Sequence, residues 1–294
     1  MDMNSEQHEF FRQNGYVVLQ ELLPPPDVDY FLEIYECDHQ KFPNMWCGFG
    51  DQTVNCDTLL TTPEFDRIIR HPVILPEIEA LMGGPVCFGE ICIRHMAPYS
   101  DELKRGWHRD MPHWPDHPLR MDYIQLMLYL TDVHQGTHCF SLSPESVDDE
   151  VLEKDAQLER GGIVDFHGPP GTVVLFNVSV LHTATVRKTD QERKSVQIYY
   201  GHQTRPYLSN CTVIPESFWR DHEDVKVREF YGVLNRKTRR YQAAHEAAEI
   251  DDHESILEWC TNYDRKIKQD DNAARPEGDE GPAAGGQEHG TLGE

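Results

Sequence analysis

The sequence predicts a mainly β fold with flanking helices. Short apolar runs rich in β-branched residues alternate with Gly- and Pro-containing turns from Val86 onward. The runs long enough to be strands lie at residues 86–96, 123–131, 172–178 and 194–201. Several short strands separated by such turns are typical of a β-sandwich or barrel. Before this stretch, apolar residues recur at helical spacing, so we expect helices that shield one of the sheets.

The residues ahead of the first long strand predict helices and one short strand. Residues 5–14 predict a short helix and residues 16–19 a strand. Pro24-Pro25-Pro26-Asp27 begins a second helix, because proline suits the first helical turn. Residues 42–62 are rich in Cys, Gly and Asn and are predicted to be irregular, whereas residues 63–82 carry apolar side chains at helical spacing.

Beyond Pro215 the sequence predicts helices followed by a tail. Residues 216–246 are predicted to be helical, and residues 251–263 predict one more short helix. From Arg265 the chain is rich in Gly, Ala, Glu and Asp and has almost no apolar side chains. Such a segment buries too little surface to offset its conformational entropy. We therefore expect residues 265–294 to form a disordered acidic tail.

The acidic composition limits the partners of the chain. The formal net charge is −24, and residues 246–294, with 14 acidic and four basic side chains, carry −10 of it. This charge argues against a nucleic-acid partner, because phosphates attract basic patches. No obvious basic cluster would accept a highly anionic molecule either. We therefore expect a small-molecule substrate that is neutral or cationic.

The sequence also predicts a cytoplasmic protein without a membrane partner. Residues 1–13 are polar and charged, unlike a signal peptide. No apolar run approaches the length needed to span a bilayer. The eight cysteines are scattered without C-x-x-C pairs, which favours reduced thiols over disulfides or zinc ligands.

Two histidines and one aspartate predict a metal site. His108 and Asp110 are two residues apart, so in an extended segment both side chains point the same way. His182 lies near the end of the apolar run that begins at Gly171, and folding must bring it alongside. Two histidines and one carboxylate on one face are typical of non-haem Fe(II), whose remaining positions accept a co-substrate and dioxygen. With this triad, the expected β architecture is a double-stranded β-helix, the cupin-type jelly roll.

A polar turn after His182 leads to a strand that opens with Arg193. Ser195 shares the face of Arg193, and this pair suits a bidentate grip on a carboxylate such as that of 2-oxoglutarate. Arg187 is the competing arginine. Gln125, on the 123–131 strand, could donate a hydrogen bond to the same co-substrate near the metal.

The alternation of side chains along this strand makes a further prediction. If Arg193 faces the interior, Gln197 and Tyr199 do too. Val196, Ile198 and Tyr200 then pack outward against helices. Arg94 and His95, at the end of another strand, could line the same cavity.

These motifs resemble the phytanoyl-CoA dioxygenase family of Fe(II)/2-oxoglutarate-dependent oxygenases. Residues 10–19 are similar to the opening helix and strand of that family, and residues 136–146 to a degenerate form of its glycine-to-PGSH stretch. His108-Arg109-Asp110, His182 and an arginine eleven residues later match its metal and co-substrate pattern. In two places the sequence departs from the family: Glu145 replaces a glycine, and Ala184 occupies the position of a co-substrate-binding serine found in some members.

The resemblance implies an enzyme that uses Fe(II), 2-oxoglutarate and O2. Such an enzyme hydroxylates, or otherwise oxidises, an unactivated C–H bond of a small molecule and releases succinate and CO2. Asp110 favours hydroxylation, because related halogenating enzymes have a small residue at that position. We expect one catalytic domain at residues 1–264, made of a packing region at 1–82, the jelly-roll core at 83–215 and a helical region at 216–264.

Two other functions fit the same residues less well. One is a cupin-like metalloprotein that does not use 2-oxoglutarate, and the other is a non-catalytic jelly roll that binds a metabolite. The segment 111–118 follows the first two ligands and is rich in rings and prolines. It predicts either a stiff wall or lid that presents Trp114 to the substrate, or a long structured loop. His113 is not expected to be a further metal ligand.

Overall fold

Two antiparallel sheets that face each other form the centre of the protein. The computed structural model describes residues 5–20 and 22–248 of the chain. The large sheet contains β1 (Tyr16–Leu19), β2 (Cys47–Phe49), β3 (Gln52–Asn55), β4 (Val86–Met96), β6 (Tyr123–Tyr129), β9 (Val173–Asn177) and β11 (Arg193–His202). The small sheet contains β5 (Lys104–Arg105), β7 (Cys139–Leu142), β8 (Val164–Phe166) and β10 (His182–Val186).

The order of the strands is that of a double-stranded β-helix. The large sheet runs β1-β9-β6-β11-β4-β3-β2 and the small sheet β5-β10-β7-β8. Apart from β2-β3, β3-β4 and β7-β8, neighbouring strands are not consecutive in sequence. The recorded pairs are antiparallel, including the long ladders of β11 with β4 and with β6. The predicted jelly roll is confirmed.

Helices precede, interrupt and follow the strands. They are α1 (Ser5–Asn14), α2 (Pro25–Lys41), α3 (Thr58–Thr61), α4 (Asp66–Ile69), α5 (Leu75–Met82), α6 (Lys154–Gly161), α7 (Glu216–Trp219), α8 (Val225–Tyr231) and α9 (Arg236–Ala248). The residues described up to Asn235 form one compact unit, and α9 belongs to a second. No helix in the described part of the chain is long and apolar enough to cross a membrane.

One large apolar core lies between the helices and the outer face of the large sheet. Val196, Ile198 and Tyr200 of β11 are buried in it together with residues of α2, α5 and α8. The hydroxyl of Tyr200 donates a hydrogen bond to the carbonyl oxygen of Ile69 over 2.8 Å. The predicted alternation along β11 therefore holds, because these three side chains pack toward the helices.

A second, smaller core fills the space between the two sheets. Met127, Tyr129 and Phe176 of the large sheet pack there against Phe140 and Phe166 of the small sheet. The Phe140 ring centroid lies 4.6 Å from that of Phe176 and 5.6 Å from that of Phe166. This aromatic layer holds the sheets apart and leaves polar side chains around it.

Sequence patterns located most of the elements but misassigned three regions. Residues 42–62 are not irregular, because β2 and β3 form a hairpin that pairs with β4 at the edge of the large sheet. The apolar run from Gly171 is not one strand: β9 ends at Asn177, the chain turns, and His182 begins β10 in the other sheet. The short strands β7 and β8 were not predicted, since their mixed composition carries little strand signal.

The predicted C-terminal boundaries remain untested by the structure. Residues 216–246, expected to be helical, contain α7, α8 and most of α9. The helix predicted at 251–263 and the tail at 265–294 lie outside the described residues, so the division at residue 264 stays a prediction.

Replacing Gly201 with alanine should destabilise the fold. A Cβ atom at Gly201 would lie 2.2 Å from Cε1 of the buried Tyr123 ring, which fills the space beside β11. Overpacking of this kind costs about 1–3 kcal/mol. Urea unfolding should show this loss for Gly201→Ala. The matched control is Gly48→Ala, where a Cβ meets no atom within 4 Å; equal stability of the two variants would contradict the prediction.

Candidate metal and co-substrate site

Backbone pairing between two connecting segments brings the three predicted metal ligands together. The amide of His108 donates to the carbonyl oxygen of His182 over 3.0 Å, and the amide of His182 donates back over 2.9 Å. The amide of Asp110 donates to the carbonyl oxygen of Val178 over 3.0 Å. The chain from His108 to Asp110 is therefore extended, although it is not part of a regular strand. This extension places the imidazole and the carboxylate on one side.

The ligand atoms of the triad converge on a point that can accept a divalent ion. One donor atom from each of His108, Asp110 and His182 lies within 4.8 Å of the others. Nε2 of His108 is 3.4 Å from Oδ1 of Asp110, and Nε2 of His182 is 3.5 Å from Oδ2. The Nδ1 atoms lie 2.8 Å from the carbonyl oxygens of Gly106 and Val180. These contacts place the protons on Nδ1 and leave both Nε2 lone pairs free for a metal.

The carboxylate of Asp110 is held in its charged form. Burial raises its pKa, but the charges of His182 and His108 and their hydrogen bonds outweigh burial and hold the pKa well below its usual range. The hydroxyl of Tyr199 donates to Oδ2 over 3.0 Å, and burial raises the pKa of that hydroxyl well above its usual value. Tyr199 therefore remains a donor, and it faces the interior as the sequence predicts.

Arg193, at the start of β11, is a buried cation with unused hydrogen-bonding capacity. Its side chain is only 1% exposed, and neither Nε nor one terminal nitrogen has a hydrogen-bond partner among the described residues. The buried hydroxyl of Ser195 lacks a partner too. A buried charge without a hydrogen-bonded partner lowers the stability of the fold by several kcal/mol. A bound carboxylate would satisfy all of these donors.

The competing Arg187 is already occupied. It donates to Oδ2 of Asp165 over 2.8 Å, to the carbonyl oxygen of Gln135, and to the sulfur of Cys139 over 3.4 Å. Arg105 binds the same Asp165 carboxylate. Cys139 and Asp165 lie with His167 in a second group of potential ligand atoms, but the two guanidinium groups already neutralise it. This group is an ion-pair network and offers little to a metal.

Gln125 lies on the inner face of the large sheet beside the triad. It is 2% exposed and is paired in register with Tyr199 on one side and Phe176 on the other. Tyr199 binds Asp110, and the Phe176 ring lies 4.9 Å from that of His182. Both neighbours of Gln125 therefore contact metal ligands.

Glu145 is a site residue whose role the sequence did not reveal. Arg109, between the first two ligands, donates to Glu145 and, over 2.6 Å, to the carbonyl oxygen of Ser179. Nε2 of His113 lies 3.2 Å from the other oxygen of Glu145. The carboxylate thus anchors the 108–110 segment. The only sequence signal was that Glu145 replaces the expected glycine, and a partner 36 residues away could not be read from it.

The segment 111–118 is a structured loop. The Trp114 ring packs against His117, His202 and the guanidinium of Arg205, whose carbon lies 4.6 Å from the ring centroid. His113 pairs with Glu145 and is not part of the triad, as the sequence predicts.

Comparison with known proteins identifies the family of this chain. The sequence profile of the family described as phytanoyl-CoA dioxygenase (PhyH) matches residues 11–195. The chain belongs to the phytanoyl-CoA dioxygenase family. It is thus a non-haem iron, 2-oxoglutarate-dependent oxygenase. The fit of the His-Asp-His triad to a metal agrees with this class.

Two characterised relatives are similar over most of their length. An L-proline trans-4-hydroxylase of Streptomyces griseoviridis is 22% identical over 230 residues, which cover 66% of this chain and 85% of the relative. The peroxisomal phytanoyl-CoA dioxygenase of Homo sapiens is 21% identical over 264 residues, covering 78% and 77%.

Solved structures share the fold. The carbocyclase SnoK from nogalamycin biosynthesis superposes with a TM-score of 0.58 at 20% identity, over 70% of this chain and 86% of that one. EctD from S. alaskensis with 2-oxoglutarate and 5-hydroxyectoine gives 0.59 at 17% identity, over 77% and 86%.

Replacing Glu145 with glutamine should weaken metal binding. The variant keeps the size of the side chain but loses the negative charge that holds the Arg109 guanidinium, and with it the segment that carries His108 and Asp110. Residues that orient metal ligands change affinity by about 10–100-fold when replaced. Anaerobic titration of the metal-free protein with Fe(II) should show this loss for Glu145→Gln, whereas the exposed Glu150→Gln serves as control. An Fe(II) affinity equal to that of wild type would show that Glu145 does not orient the metal ligands.

The contacts of the Glu145 carboxylate with Arg109 and His113 should make the stability of the fold depend on pH. Burial raises the pKa of Glu145, but His113 and Arg109 outweigh burial and hold it below its ordinary value of 4.5. The carboxylate therefore stabilises the folded state above about pH 4.5, and this contribution is lost as pH falls through the lower folded pKa. Urea unfolding should show that the gap between wild type and Glu145→Gln narrows below that pH. Parallel stability curves would contradict the assignment.

Proposed function

We propose that the protein is a hydroxylase that holds Fe(II) through His108, Asp110 and His182 and binds 2-oxoglutarate through Arg193. The observation that carries this proposal is the buried guanidinium of Arg193, in which Nε and one terminal nitrogen lack a partner among the described residues. It lies on the sheet face that also carries Tyr199, the donor to Asp110. When bound, the iron would let O2 act as the oxidant of two molecules, so that 2-oxoglutarate is oxidised to succinate and CO2 and a C–H bond of the substrate is hydroxylated.

The protein's own residues bind and orient the reactants. The Nε2 atoms of the two histidines and a carboxylate oxygen of Asp110 would bind one face of the metal, with Tyr199 fixing the carboxylate. Arg193 would pair with the distal carboxylate of 2-oxoglutarate, with Ser195 beside it as a further donor. Gln125, between Tyr199 and Phe176, could donate to the metal-bound end of the co-substrate.

The layer of rings around the site serves to exclude water. Phe140 and Phe176 pack against His182, at centroid distances of 5.8 and 4.9 Å. His108 is on the open side, with 47% of its side chain exposed. The substrate would therefore approach from the side of His108. Asp110 supports hydroxylation, because a carboxylate occupies the position that a halide would need.

The substrate we propose is a small molecule. The two relatives are named for a free amino acid and for a coenzyme A thioester, and one similar structure holds 5-hydroxyectoine. The formal net charge of −24 disfavours the highly anionic coenzyme A group, so the amino-acid-sized end of this range is favoured.

An anaerobic titration tests the proposed ligands directly. Fe(II) and 2-oxoglutarate added to the metal-free protein should produce a visible metal-to-ligand charge-transfer band. Asp110→Ala should abolish the band. Arg193→Ala should weaken 2-oxoglutarate binding at least about thirtyfold, because a buried charge loses its partner. Arg187→Ala, the matched arginine control, should keep the wild-type affinity for 2-oxoglutarate. If iron binds but the band does not appear, 2-oxoglutarate does not chelate the iron and the proposed co-substrate role is wrong.

A further inference from the structure

A second arginine, the partly buried Arg94, faces the same space as Arg193. Arg94 lies on β4 and is paired in register with Ser195 on β11. Side chains of residues paired across two strands point to the same face of the sheet. Arg94 therefore lies on the inner face with Ser195. The preceding inward residues of β4, Cys92 and Glu90, are paired in the same way with Gln197 and Tyr199.

The charge of Arg94 reaches the proposed co-substrate site, because Arg94 lies opposite Ser195 in the ladder of β4 with β11. It also lowers the pKa of Arg193, after burial itself. Arg94 itself stays charged, because burial lowers its pKa but the charges of Cys92, Tyr199, Cys56 and Glu90 outweigh burial and raise it. A charged guanidinium beside Arg193 is an arrangement that favours bound anions.

Arg94 forms no salt bridge with a carboxylate in the described part of the chain, although it hydrogen-bonds the Cys92 sulfur and the charge of Glu90 acts on it. Its Nε atom is buried without a hydrogen bond, and no ion pair includes it. Glu90 lies on the same strand face, but its carboxylate accepts a hydrogen bond from Ser209. The guanidinium carbon of Arg94 lies 5.2 Å from the centroid of the Phe49 ring. A planar fork held by an aromatic ring is suited to a carboxylate.

Phe49 reaches Arg94 because of the hairpin that sequence patterns missed. β3 pairs with β4, with Val54 opposite Arg94, and β2 continues the sheet beyond it. The hairpin thus extends the inner face past the jelly-roll core and adds a wall at the sheet edge. Arg193 lies on the opposite flank of Arg94, next to Tyr129 and Cys139. The two arginines therefore serve different parts of the cleft.

We infer that Arg94 binds a carboxylate of the substrate, so that the enzyme acts on a small carboxylic acid. This inference rests on the proposed function, in which the two carboxylates of 2-oxoglutarate already have partners in the metal and Arg193. Arg94, whose Nε is buried without a hydrogen bond and which forms no salt bridge among the described residues, is then left to bind a carboxylate of another molecule. The local charge of the cleft reverses the expectation of a neutral or cationic substrate that the overall charge of −24 suggested.

The test is a comparison of acids with their primary amides on the full chain loaded anaerobically with Fe(II) and 2-oxoglutarate. A panel of amino acids and simple carboxylic acids, starting with L-proline and L-prolinamide, is titrated while the charge-transfer band and the binding heat are followed. At least one acid should bind wild type at least about tenfold more tightly than its amide, as expected for a charge-assisted pair. Arg94→Gln should remove this preference.

The affinity for 2-oxoglutarate separates the possible outcomes. Arg94→Gln should keep it within about threefold of wild type, whereas Arg193→Gln should lose at least about tenfold. If Arg94→Gln weakens 2-oxoglutarate as much as Arg193→Gln does, Arg94 binds the co-substrate and the inference is overturned. The inference is also overturned if the wild-type protein forms the band but binds no acid more tightly than its amide. Absence of the band contradicts the proposed function instead. Should Arg94→Gln fail to fold, Arg94→Lys, which keeps the charge but loses the fork, is expected to reduce the preference for the acid.

Discussion

The site depends on one short stretch of backbone pairing, in which residues 108–110 lie antiparallel to residues 178–182. The hydrogen bonds exchanged by His108 and His182, and the bond from Asp110 to Val178, fix the relative position of all three ligands. The pairing also joins the connection after β5 to the turn between β9 and β10, and hence the small sheet to the large one. Main-chain atoms make these bonds, and the contact of Arg109 with Glu145 holds the 108–110 segment in addition.

The inner face of the large sheet carries buried polar groups that lower the stability of the fold but are available to bind ligands. Arg193 and Ser195 are buried with unused donors, and Arg94 adds a second cation next to them. Unpaired buried groups are costly, so the surrounding layer must compensate. It does so through the apolar core on the opposite sheet face and through the rings of Phe140, Phe166 and Phe176. Binding of carboxylates would relieve the same cost, which links ligand affinity to the stability of the fold.

What could be predicted from the sequence was what depends on local spacing. The separation of His108 from Asp110 and the alternation from Arg193 to Tyr200 follow from extended backbone, and the structure brings these residues together as expected. The break before His182 escaped prediction, because the turn after Asn177 is made of Val178, Ser179, Val180 and Leu181, residues as apolar as a strand. The hairpin at 47–55 and the link from Glu145 to Arg109 depend on pairing between distant segments, which spacing does not encode.

The net charge of the chain and the charge of its cleft have opposite signs, and the cleft decides what binds. An exposed acidic surface is screened within about 8 Å at physiological ionic strength, whereas buried charges are screened far less. A substrate acid that enters beside His108 leaves the repulsive field of the surface and meets the guanidinium of Arg94 in a site with low exposure. The overall field then slows the approach of anions more than it weakens their binding. The composition of a chain therefore describes its surface, whereas in the proposed site a single arginine, Arg94, would select the substrate.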